Sequence, residues 1–127
     1  MKLLKSADRQ HRQLSSPKTG EKYSLSQVIS EGLGARDIFI SHEIISPGSR
    51  SSAPHFHTET EEIICVFKGR LVAVEGPDEV ELSDGDFICF EANSGKLHYL
   101  KNTFADDSHV LVIRRNIKND DTVFSAT

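Results

Sequence analysis

The sequence predicts an all-β fold, an antiparallel sandwich or small barrel. Three observations carry this. Short runs rich in Val, Ile and Phe recur along the chain. Glycine, proline, asparagine and aspartate punctuate them every several residues. Almost no stretch repeats with the period of an amphipathic helix.

Residues 1–22 are polar, with a turn or linker at Ser15-Ser16-Pro17-Lys18-Thr19-Gly20, and read as an N-terminal arm. The remainder, 23–127, reads as a single barrel domain. Ser24 to Gly34 is weakly amphipathic and fits either a short strand or one helical turn, bounded by Gly32 and Gly34. Asp37–Ile45 alternates as a strand, with Ile38, Ile40, His42 and Ile44 on one face and Phe39, Ser41, Glu43 and Ile45 on the other. Pro47-Gly48 ends it. Ile63–Phe67 and Leu71–Glu75 flank Gly69-Arg70 and form a hairpin. Further strands follow at Val80–Leu82, Phe87–Phe90, Leu97–Lys101 and His109–Arg115, separated by turns at Gly76-Pro77-Asp78, Ser83–Asp86 and Phe104–Ser108. From Asn116 the tail is polar until Val123-Phe124. Ile63–Phe67 and Val110–Ile113 are apolar at consecutive positions, so both faces of these strands are expected to be covered. A second sheet of the same chain, or a second subunit in a homodimer, would cover the outer one.

The 127 residues suit one domain with one core. A net charge of -4 and a pI near 5.8 argue against nucleic acid or an anionic membrane as partner. The start has no apolar leader and no stretch approaches a membrane span in length, so the expected compartment is the cytoplasm. Cys65 and Cys89 both fall inside expected strands and read as reduced core residues.

The chemistry concentrates between Gly48 and Gly69. His55 and His57 are two apart, so an extended strand points both imidazoles to one face. After the polar turn Thr58-Glu59-Thr60 the chain returns with Glu61 and Glu62. Two imidazoles on one face with a carboxylate brought back beside them are a metal-ligand pattern. Arg50, Glu91, Lys96 and Tyr99 fall near the expected mouth and read as surface residues; Glu91 is an alternative acid/base. His42 reads as a core or rim histidine. His11 and His109 have no supporting context. No phosphate loop, Ser-His-Asp arrangement or CXXC pair is present in the sequence.

The window resembles the first motif of the cupin superfamily, a glycine, His-x-His, a glutamate and a closing glycine. Gly48, His55, His57, Glu62 and Gly69 take those positions; Glu61 also fits the family's range for the His-to-Glu gap, but only Glu62 leaves six residues before Gly69. The second motif, opening at Gly85 and ending GXXHXXXN, is matched by Gly95-Lys96-Leu97-His98-Tyr99-Leu100-Lys101-Asn102. The chain departs from the family at Glu91, where a proline is usual, and in the loop Glu91-Ala92-Asn93-Ser94. The resemblance spans Ile38 to Arg114.

It implies a double-stranded β-helix, or jelly-roll barrel, and a metal held by His55, His57, Glu62 and His98. Three neutral imidazoles and one carboxylate leave a net positive charge on a divalent ion, which suits Zn, Fe, Mn, Ni or Co. Four protein ligands on a six-coordinate ion leave two positions for substrate, water or dioxygen. The implied activity is that of a metal-dependent enzyme on a small oxygen-rich metabolite, of isomerase, dioxygenase or decarboxylase type. The alternative is a noncatalytic small-molecule sensor, although the chain shows no helix-turn-helix pattern of the kind often fused to such barrels.

Overall fold

The computed structural model describes residues 1–124; the last residues of the expected barrel domain, 125–127, lie outside them. Eleven strands are present among the described residues: β1 (Arg12–Ser15), β2 (Lys22–Val28), β3 (Ile38–Ile45), β4 (His55–His57), β5 (Glu62–Lys68), β6 (Leu71–Glu75), β7 (Asp78–Leu82), β8 (Phe87–Phe90), β9 (His98–Lys101), β10 (Ser108–Arg115) and β11 (Thr122–Phe124). They form two antiparallel sheets, ordered β1-β2-β3-β10-β5-β8 and β11-β4-β9-β6-β7. The fold is all-β, as the turn spacing predicts.

Between the sheets lies an apolar core of Ile45, Ile64, Val66, Leu71, Ala73, Leu82, Phe90, Leu100 and Val110. Each projects from an inward position of an alternating strand. In β5 the alternation is plain: Glu62, Ile64 and Val66 are buried, whereas Ile63 and Phe67 are exposed. Of the two strands expected to be covered on both faces, β10 keeps Leu111 and Ile113 half-buried on its outer face, whereas this chain leaves the outer face of β5 largely open. The outer face of the larger sheet keeps Ile63, Phe67 and Phe87 in solvent, with Phe87 at 67% exposure.

The same register corrects the reading of the cysteines. Cys65 pairs with Phe87 and Cys89 with Ile63, all on the outer face. Cys65 is only partly buried and Cys89 is exposed. They are apolar enough to suit a strand, but the period of two turns them away from the core.

Asp37–Ile45 contains strand β3 with the expected faces. The stretch from Ser24 to Gly34 contains both of the structures its sequence allows. Strand β2 runs to Val28, then one helical turn, Ile29–Leu33, ends at Gly34 with φ 66°. Within the polar residues 1–22, Arg12–Ser15 adds an edge strand to β2.

The two glycine-bounded motifs are stitched at their ends. Gly48 N donates to Asn102 O at 2.7 Å, and Asn102 N donates to Ser49 O at 3.0 Å. The buried Asn102 side chain donates to Ile45 O and Asp106 O and accepts from Phe104 N. Gly69, at φ 98°, lies so close to the next strand that a Cβ would sit 2.9 Å from Asp107 O.

On the outer face, His42 is 5% exposed because the N-terminal segment folds over it. Arg9 Nη2 contacts His42 Nδ1, and His11 Nε2 lies 2.8 Å from the same atom. The arginine is always a donor, so Nδ1 accepts and the remaining Nε2–H donates to His109 Nδ1 at 3.1 Å. That network requires a neutral His42. Burial lowers its pKa from 6.5 to about 4, assisted by the charges of Arg9, His11 and His109. The fold therefore binds this proton more weakly than the unfolded chain. The stabilisation is complete above the unfolded value and is lost as pH falls from 6.5 towards 4. The thermal midpoint should drop across that window, and more shallowly in His42→Leu; equal slopes in the two proteins would show that this ring does not set it.

Candidate metal centre

Strand β4 is three residues long, and its period of two aims His55 and His57 inward while Phe56 points away. Across the ladder, His55 pairs with His98, the first residue of β9. Their rings lie 4.7 Å apart between centroids. Glu62, the first residue of β5, enters from the other sheet and is buried, whereas Glu61 faces solvent. The open choice between the two carboxylates is thus decided for Glu62 by strand register.

Ligand-type atoms of His55, Glu62 and His98 all lie within 4.8 Å of one another. His57 stands beside this trio, its Nε2 3.2 Å from Glu62 Oε2. All four sequence-predicted residues line a single cavity of about 270 Å³ between the sheets.

The hydrogen bonds select which nitrogen of each ring is free. His55 Nδ1 lies 2.8 Å from Ala53 O, and a carbonyl can only accept, so Nδ1 carries the proton and Nε2 its lone pair. His57 Nδ1 is 2.7 Å from Asp120 Oδ2, which again leaves Nε2 towards the trio. Buried imidazoles braced by a carbonyl or carboxylate in this way are the usual form of metal-binding histidine. His98 is 2% exposed and stacked on Phe90, with ring centroids 3.9 Å apart. Neither of its nitrogens has a hydrogen-bond partner among the described residues. Its Nε2 approaches Glu62 Oε1 at 3.4 Å, a Coulombic contact beyond ordinary hydrogen-bond length. A buried ring nitrogen with no partner, beside a buried carboxylate, fits a divalent ion.

Charge within the site is strongly coupled. Burial pushes the Glu62 carboxyl up, but the adjacent His57 and His98 outweigh it and hold it well below the usual carboxylate range. The contact with Glu62 raises His57 against the effect of burial, and Asp120 adds to the rise. Burial lowers His55, only partly offset by its bond to Ala53 O.

Asp120 is the residue that sequence reasoning missed. It lies in the polar tail, where no spacing relates it to the motifs. Strand β11 pairs with β4, Thr122 opposite His57, and carries Asp120 back to the turn. There Asp120 Oδ1 accepts from Glu59 N at 2.9 Å and Thr60 N at 3.1 Å while Oδ2 faces His57. Of the residues near the expected mouth, Tyr99 lines the cavity. Arg50 packs 5.4 Å over the Tyr99 ring and pairs with Glu21. Glu91 and Lys96 are exposed and outside the lining.

Residues 41–114 match the cupin domain family. The chain belongs to the cupin family. Among solved structures, this cupin is similar to a candidate sugar phosphate isomerase from Acidithiobacillus ferrooxidans, with a TM-score of 0.82 and 23% identity over 96% of this chain and 80% of that one. It is also similar to a cupin-superfamily sugar phosphate isomerase from Silicibacter pomeroyi, with a TM-score of 0.74 and 25% identity over 82% of this chain and 65% of that one. A third is the polyketide cyclase RemF from Streptomyces resistomycificus, at 0.75 and 21%, over 99% and 87%. No curated protein matches the chain.

Asp120→Ala should leave the fold in place but weaken binding of added zinc or nickel by about 10–100-fold, because His57 loses the group that orients it. Titration calorimetry checks this; unchanged affinity would mean that His57 needs no brace.

Proposed function

We propose that this cupin holds one divalent metal through His55, His57, Glu62 and His98, and uses it to transform a small oxygen-rich metabolite. The partnerless His98 ring beside Glu62 carries the reading. When bound, such an ion polarises a carbonyl and stabilises charge developing on substrate oxygen. The protein supplies the rest. Ala53 and Asp120 fix two imidazoles with Nε2 inward, Phe90 stacks flat on the third ring, and Ile64, Leu100 and Val112 give the cavity apolar walls. The solved relatives carry names as different as isomerase and cyclase, so the fold does not select the reaction. Isomerisation, decarboxylation and dioxygenation could each use a metal held by these four residues to polarise a substrate oxygen.

Purified protein should carry about one metal per chain, lost in His55→Ala and His98→Ala, by elemental analysis. Wild-type protein that takes up no metal after incubation with zinc, iron, manganese, nickel or cobalt would reject the site. Metal-loaded protein incubated with a metabolite pool should consume a component or take up oxygen. Thermal stabilisation by a compound that is never consumed would instead mark a sensor.

The reading extends to a homodimer formed through the outer face of the larger sheet, where Ile63, Phe67 and Phe87 are exposed side by side. Two copies related by a twofold axis would each cover the other's apolar face. Light scattering should return twice the chain mass, and Phe87→Asp should shift it to the monomer. A wild-type monomer at micromolar concentration would exclude the pairing.

A further inference from the structure

One buried carboxylate in the cavity has no part in the metal cluster. Glu43 is 8% exposed and lines the same cavity as His55, Glu62 and His98. Ser24 Oγ donates to its Oε1 at 2.5 Å and Ser26 Oγ donates to its Oε2. Both serines are buried, at 0% and 7% exposure, so the carboxylate is held by two donors from β2. A carboxylate oxygen accepts more than one hydrogen bond, so each retains capacity for a further donor.

Opposite in character is Arg114, which apart from the histidines is the one basic residue in the described lining. Its guanidinium stacks 3.7 Å from the Phe39 ring. Arg114 pairs with Phe39, and the preceding residue, Ile113, pairs with Ile63, so Arg114 and Glu62 stand side by side. Four residues along β3 from Phe39 comes Glu43, about 13 Å of strand away. The cavity thus has an end with the guanidinium and metal-ligand set and a remote end with an acceptor. Ser41, Ile64 and Val112 lie between them.

We propose that the cavity takes an extended polyhydroxy acid, its carboxylate at Arg114 and the metal, and its distal hydroxyls donating to Glu43. Two features select this class. A planar guanidinium fits a carboxylate in bidentate fashion. The volume, about 270 Å³, is below that of drug-sized pockets and suits a single slender metabolite.

The inference rests on the metal reading, so metal content is measured first in every variant. Calorimetry on metal-loaded protein then compares gluconate with glycolate, which shares the hydroxy-acid end but lacks the tail. Wild-type protein should bind gluconate about tenfold or more tightly than glycolate, as hydrogen bonds to a charged acceptor allow. Glu43→Gln should abolish that preference while leaving metal content and glycolate affinity unchanged. Ser26→Ala, which releases one carboxylate oxygen and keeps the charge, should give an intermediate preference. Arg114→Gln should weaken both ligands about tenfold or more. A role for Glu43 in merely joining β2 to β3 would lower the thermal midpoint without moving the ratio. Failure of either probe to bind metal-loaded wild-type protein, no preference for gluconate, or an unchanged ratio in both Glu43→Gln and Ser26→Ala overturns the proposal and leaves the metal reading intact. A wild-type protein without metal overturns both.

Discussion

The pairing of His55 with His98 across β4 and β9 is the contact on which the site depends. Neither strand is long, and the two histidines are far apart in sequence. Their meeting is secured by hydrogen bonds at the ends of the motifs. Asn102, four residues beyond His98, is buried and bonded to Ile45 O and Asp106 O. Ser51, four before His55, donates its N–H to Leu100 O and accepts from Leu100 N through Oγ. With both flanks of the pair fixed, the rings have little freedom, and the entropy of assembling the site is absorbed into folding rather than into ligand binding.

Electrostatics then explains why the cluster is balanced. Glu62 is a buried carboxylate surrounded by three imidazoles, and His57 lies between it and Asp120. In such a nest a proton on His57 and a divalent cation at the cluster satisfy the same acceptors, so the two compete. The bond from Asp120 favours the tautomer that leaves Nε2 available. Phe90 removes water from one face of His98 and so raises the cost of leaving its nitrogens unpaired.

Much of this is legible in the sequence. The alternation in Asp37–Ile45 assigns the faces of β3 correctly, and the spacing of His55 and His57 puts both rings on one face, because the strand period is a local property; that His98 joins them and Glu62 is legible only through the resemblance to the two cupin motifs. What depended on long-range pairing was not legible. Asp120 is recruited through the ladder of β11 on β4, which nothing in the tail's composition signals. Cys65 and Cys89 share the apolar character of their neighbours, and only the register reveals that they face outward. Arg12–Ser15 is short and polar, so its pattern resembles a loop; pairing with β2 makes it a strand.

The period of two has a further consequence in β3. His42 and Glu43 are consecutive, yet the first closes the N-terminal segment over the outer face and the second lines the cavity. Strand β10 repeats the division, with Arg114 stacked on Phe39 at the cavity and Arg115 donating to Glu59 O on the other side. A slip of one residue would exchange every one of these partners. It would turn the His42 ring towards the cavity and expel Glu43 from its serines. Contacts on the outer face, including those of Arg9 and His11 with His42, therefore help fix the register that turns Glu43 and Arg114 towards the cavity.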